Sequence, residues 1–141
     1  MEDSAIEQAL YNELAFYTLA HPSSDFIHQH IVDAFAAQYA SKDDKPIRPA
    51  FALLGLYLHL HHGYTGKQVQ YAHMALAQRR KLWPTFELPT QRGDVTVVHV
   101  VAVPPGKERD EMIEAWCFSV WTAYTAIHTE VANLWEQTMA D

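Results

Sequence analysis

Apolar residues recur at intervals of three and four in five stretches of this chain, which is the period of one buried face of an α-helix. The first stretch carries Ile6, Leu10, Leu14 and Tyr17 and is introduced by Ser4 with Glu7 three residues on, a capping-box spacing. Pro22 closes it. Ser23 or Ser24 then suits the cap of a second helix, with Asp25 in its first turn and a stripe of Ile27, Ile31, Phe35 and Tyr39. Pro46 and Pro49 suit the start of a third helix, which is apolar nearly all round from Phe51 to Leu60 and stops at His62-Gly63. Thr65 with Gln68 repeats the capping-box spacing before Val69, Ala72, Leu76 and Ala77. The last stripe is the longest: Ile113, Trp116, Val120, Tyr124, Ile127, Val131 and Leu134, flanked by Cys117, Trp121 and Trp135. It predicts one long helix after Pro104-Pro105-Gly106, with three tryptophans that make it the spine of the core.

Between the fourth and last stretches, Trp83 to Gly93 reads as a loop pinned by Trp83 and Phe86. Asp94 to Val103 is rich in β-branched residues and favours a strand by propensity alone, yet the chain offers no second strand to pair with it. A short helix capped by Thr96 resolves the conflict; a strand paired across a homodimer is the alternative. The expected architecture is all-α, a single bundle domain over residues 1–141 with about five principal helices.

Composition narrows the function classes. Hydrophobic residues make up 49% of the 141 and charged residues 19%, so the chain has the material for a core without disulfides. No apolar run approaches the roughly 18 residues that span a bilayer. The acidic start, Met1-Glu2-Asp3-Ser4, lacks the basic and apolar regions of a signal peptide, so a cytoplasmic location is expected. A formal net charge of −7 argues against nucleic acid as a partner, and Arg79-Arg80-Lys81 reads as a helix C-terminus complemented by cations. Cys117 is the one cysteine; within an apolar stripe it reads as inert packing, not a nucleophile. Gly63-Tyr64-Thr65-Gly66-Lys67 lacks the spacing of a phosphate-binding loop and is better explained by capping.

The nine histidines are the unusual feature. Placed at about 100° per residue, His28 falls with Ile31 and Phe35 on the core side of its helix, and His30 falls on the other side, in reach of a solvated ion pair with Asp33. His61 shares a side with Leu54 and Tyr57, while His59 points away. His73 turns inward beside Val69 and Leu76, His128 borders the aromatic stripe near Trp121, and Glu13 flanks the first stripe. Four helices thus each offer an imidazole and a fifth a carboxylate, the donor set of a divalent transition metal such as zinc or iron in a bundle core. The candidate ligands are His28, His61 and His73, with Glu13 or His128 as a fourth or outer partner. With one coordination position open, such an ion supports hydrolysis; a thiol-linked transfer is the other chemistry weighed. No His-Glu-x-x-His motif and no pair of Glu-x-x-His motifs is present. Two non-catalytic readings stand beside the metal: an interaction or oligomerisation module with structural histidines, and a small-molecule sensor built around Trp116, Trp121 and Trp135.

The segments Phe26-Ile27-His28-Gln29-His30-Ile31-Val32-Asp33-Ala34-Phe35, Gly55-Leu56-Tyr57-Leu58, Gly66-Lys67-Gln68-Val69-Gln70 and Trp83-Pro84-Thr85-Phe86 resemble an uncharacterised bacterial family known only as a domain of unknown function. The resemblance spans nearly the whole chain. It implies a small all-helical bacterial domain with a short helix at Thr96 to Val101, and it brings no assigned activity with it. A looser analogy, at the level of fold alone, runs to the DinB-like bundles, which hold a metal with three histidines.

Overall fold

A computed structural model describes residues 2–21 and 25–140, with side chains from residue 5 onward. The helices are α1 (Glu2–Ala20), α2 (His28–Gln38), α3 (Ile47–His62), α4 (Gly66–Arg79), α5 (Val97–Ala102), α6 (Lys107–Ala123) and α7 (His128–Met139), with a 3₁₀ turn at Thr125–Ile127. No strand occurs among the described residues. The all-α expectation and the short helix near residues 95–103 both hold.

Local sequence explains three of the boundaries. Thr65 accepts from the Gln68 backbone and Gln68 returns the bond to the Thr65 N–H, the reciprocal capping box predicted from their spacing. Thr96 caps α5 in the same way, with His99 as its returning partner. Gly63 ends α3 at φ 70°, a left-handed geometry that costs glycine nothing. Two boundaries differ from expectation. Helix α1 already begins at Glu2, so Ser4 lies inside it, and α2 begins only at His28; the caps expected at Ser23 or Ser24 lie outside the described residues.

The single long C-terminal helix is corrected to two. Tyr124 leaves the helical register after Ala123, a 3₁₀ turn follows, and α7 resumes at His128. No glycine or proline marks the break, and the stripe survives it, because Val120, Tyr124, Ile127, Val131 and Leu134 are all buried. A tertiary bond holds the turn: the Tyr124 hydroxyl donates 2.6 Å to the Ala37 carbonyl near the end of α2.

Helix α2 is the centre of the bundle, packed by α1, α3, α4 and α6. From His30 to Gln38 every residue except Val32 is buried. It packs tightly on α3 at Gly55, where a Cβ would stand 1.9 Å from Asp33 Oδ2. Its last carbonyls are satisfied from the 80–96 loop, where Arg92 donates to Ala37, Gln38 and Ala40 at 3.4, 3.2 and 2.9 Å. The Gln38 amide donates to Val95 and accepts the Trp116 indole N–H at 2.8 Å, so this buried amide is used at both ends. Phe86 is buried and Trp83 stands edge-on to Phe51 at 5.0 Å, which pins the loop as expected. Among the described residues, no helix is long and apolar enough to cross a membrane.

Candidate metal centre

The five residues singled out as metal ligands do not meet one another. Glu13 is exposed on α1. The Thr18 hydroxyl donates to the Ala15 carbonyl, so His28 must donate from Nδ1 to Thr18 Oγ1, at 2.8 Å. His73 donates from Nε2 to the Phe51 carbonyl at 2.8 Å and lies flat on the Phe51 ring. His61 is exposed, and its Nε2 accepts the Trp121 indole N–H at 2.8 Å. His128 donates from Nε2 to the Trp121 carbonyl at 2.7 Å and stacks on the Trp121 ring. Only His61 and His128 approach one another, with ring centroids 6.1 Å apart. The structure does not bring the five into one group.

It brings together three others. His30 of α2, His59 of α3 and Glu114 of α6 each offer one ligand atom, and these atoms lie within 4.8 Å of one another. The expectations that His30 faces solvent beside Asp33 and that His59 points away are both corrected. His30 is 4% exposed, and its ring lies against that of His59 at 3.6 Å between centroids. Asp33 is buried too; its Oδ1 accepts from Gln29 at 3.1 Å, and its Oδ2 has no partner among the described residues. Burial holds the Asp33 carboxyl well above the usual carboxylate range.

The orientation of His59 follows from the end of its helix. Gly63 turns the chain back on itself, the Tyr64 N–H bonds to the Leu58 carbonyl, and the Tyr64 carbonyl arrives 2.8 Å from His59 Nδ1. Nδ1 therefore carries a proton and Nε2 is aimed at Glu114, 2.6 Å from Oε1. A carbonyl anchoring the far nitrogen is the arrangement that fixes the tautomer of metal-bound histidines. Without an ion, the short contact requires a proton on Nε2 as well. Burial lowers the pKa of His59, but the bonds to Glu114 and to the Tyr64 carbonyl outweigh it, so the value is raised overall. The hydrogen bond from His59 holds the Glu114 carboxyl below its ordinary value. His30 is pushed down to about 4, first by burial and then by the neighbouring His59, so it is neutral at physiological pH. Its ring makes no hydrogen bond among the described residues.

The three residues line a cleft of about 350 Å³ whose rim includes His21, Asp25 and Asp110. An ion held by them would keep coordination positions open toward that space. Cys117 lies behind the cluster with its thiol on the His30 carbonyl at 3.7 Å; it is fully buried, and burial pushes its pKa well up. A buried neutral thiol is packing, as its place in the stripe implied.

A signal for His30 was present in the sequence. Helix α2 carries Ile31, Ala34, Ala36 and Ala37 around its circumference, a composition that suits burial on every side. Reading one stripe assumed one buried face. For His59 and Glu114 no such signal exists, because the first depends on the Gly63 turn and the second on how α6 lies across α2 and α3.

The model of a family described as a family of unknown function (DUF5946) matches residues 7–125. No curated protein and no solved structure shows a significant match.

Proposed function

The chain belongs to that family of unknown function, and we propose that it is a metal-binding protein whose divalent transition ion is held by His30, His59 and Glu114. The observation that carries the reading is the convergence of three ligand atoms from three helices within 4.8 Å. Two further features support it: the unspent, neutral His30 ring, and the carbonyl that fixes His59 Nε2 toward the cluster. Tetrahedral ligand atoms bonded at about 2.0–2.2 Å stand about 3.4 Å apart. Closing from 4.8 Å and relaxing the 2.6 Å contact are both small motions, and Glu114, with 48% of its side chain exposed, is free to make them. Two imidazoles and one carboxylate suit zinc or ferrous iron. The ion would replace the second proton of His59, and its open positions toward the cleft would polarise a water or a bound carbonyl.

The test is elemental analysis of protein purified without a nickel column or chelator, followed by titration of the apoprotein with zinc and ferrous iron. One equivalent per chain is expected, lost in both His30→Ala and His59→Ala, with circular dichroism confirming that the variants stay helical. Folded wild-type protein that takes up neither ion at micromolar concentration would leave the cluster as an ion pair with a stacked imidazole.

A further inference from the structure

We propose that the same cleft selects ligands carrying an ammonium group beside the oxygen that meets the ion, and turns away phosphates and other multiply charged anions. This rests on the metal reading above and concerns what the open positions accept.

The cleft, at about 350 Å³, is large enough for a small molecule. Its charged walls are of one sign: Asp25, Asp110 and Glu114 line it, and no lysine or arginine does. Asp110 and Glu114 stand four residues apart on α6 and so share a helix face. Asp25 comes from a different segment, the turn before α2. That turn is tied down: the Asp25 carbonyl accepts from the Lys67 N–H at 3.1 Å. It also packs so closely on α4 that a Cβ at Gly66 would stand 1.9 Å from the Phe26 carbonyl oxygen.

The cation beside Asp110 in sequence does not line the cleft, although it lies against Tyr17 of the wall and is held there by carbonyls. The Arg109 guanidinium lies over the Tyr17 ring at 4.9 Å and donates to the carbonyls of Val101 and Val103 at 3.5 and 3.0 Å. A divalent ion against the three lining carboxylates, with His30 and His59 as neutral ligands, leaves these groups with a net charge of −1. A phosphate dianion deepens that imbalance, whereas an ammonium group corrects it. His30, a buried imidazole in the wall of the cleft with no hydrogen bond among the described residues, seats the ion inside this same space, so whatever fills the ion's open positions lies against the acidic lining.

The experiment is calorimetry on the zinc-loaded full chain at pH 7 and low salt. Its probes are β-alanine hydroxamate, which carries the ammonium; acetohydroxamate, which lacks it; and inorganic phosphate. The first is expected to bind about tenfold tighter than the second, the scale of two partly exposed ion pairs, and phosphate to bind far more weakly than either. The preference should shrink in high salt. The double variant Asp25→Asn/Asp110→Asn should lose it while still holding zinc. Equal affinity for the two hydroxamates, phosphate binding as tight as theirs, or a preference that survives the double variant would overturn this inference and leave the metal site standing. A chain that takes up no zinc overturns both.

Discussion

His59 and His61 stand two residues apart near the end of α3 and enter opposite neighbourhoods. His59 enters the cleft between α2 and α6, beside an imidazole that makes no hydrogen bond and a carboxylate held 2.6 Å away. His61 meets α6 and α7, where the Trp121 indole N–H takes its Nε2 and the neighbouring His128 spends its own Nε2 on a carbonyl. Both regions are rich in imidazole, and both lie at the surface end of the core. They differ in what the nitrogens meet: His59 Nε2 meets a carboxylate and His30 makes no hydrogen bond among the described residues, whereas His61 Nε2 accepts an indole N–H. A histidine whose lone pair already accepts an indole N–H holds a wall in place, whereas one bonded to a carboxylate through Nε2 can exchange the shared proton for an ion that both groups bind.

The largest effect that separates the two regions is metal affinity. His59→Gln should weaken zinc binding by at least about a hundredfold, because outer partners alone are worth 10–100-fold and this is a ligand. His61→Gln, and His61→Gln combined with His128→Gln, should leave the affinity unchanged. Calorimetric titration of the three variants decides it; loss of zinc in the His61 variants with retention in His59→Gln would reverse the assignment of the two regions.

A smaller effect should appear only in the second region. Trp121→Phe removes the donor to His61 and the indole surface under His128, and is expected to cost about 1–2 kcal/mol of stability in urea unfolding. Zinc affinity should stay at the wild-type value. A freed His61 that created a second metal equivalent would show that the indole bond is all that keeps the second region from binding an ion.

The smallest effect is a difference in pH dependence between the cleft and the histidines buried away from it. Burial lowers the pKa of His73, with the Phe51 carbonyl bond only partly opposing this. The unfolded imidazole gains a proton near pH 6.5 while the folded one resists. Its contribution is therefore fully present above pH 6.5 and is lost as pH falls. His59 behaves oppositely: its folded value is raised, so its contribution is fully present below pH 6.5 and is lost as pH rises through that value. In denaturation series from pH 5 to 8 on the apoprotein, His73→Gln should flatten the acid-side decline and His59→Gln the alkaline-side one. Matching changes in both variants would mean that neither environment acts as described.

Much of the fold was legible because helix caps are local chemistry. Thr65 with Gln68, Thr96, and Gly63 act on groups within a few residues of themselves, so their meaning does not depend on the rest of the chain. The conflict at Asp94 to Val103 was also decidable, since β-branched residues without a partner strand leave backbone groups unpaired. The break at Tyr124 was not. It preserves the apolar stripe and uses no breaking residue, and its support comes from Ala37, 87 positions away.

The candidate site was legible in its chemistry and not in its members. The sequence alone determined a helical chain with nine histidines, one cysteine set in an apolar stripe and a net negative charge. Only the tertiary structure decided which imidazoles meet. Helical periodicity gives the angle of a side chain about its own axis and says nothing of how many neighbours surround that axis. With four helices packed around α2, its outward side is as buried as its inward one, and His30 meets His59 and Glu114 on a face that a two-sided helix would give to water.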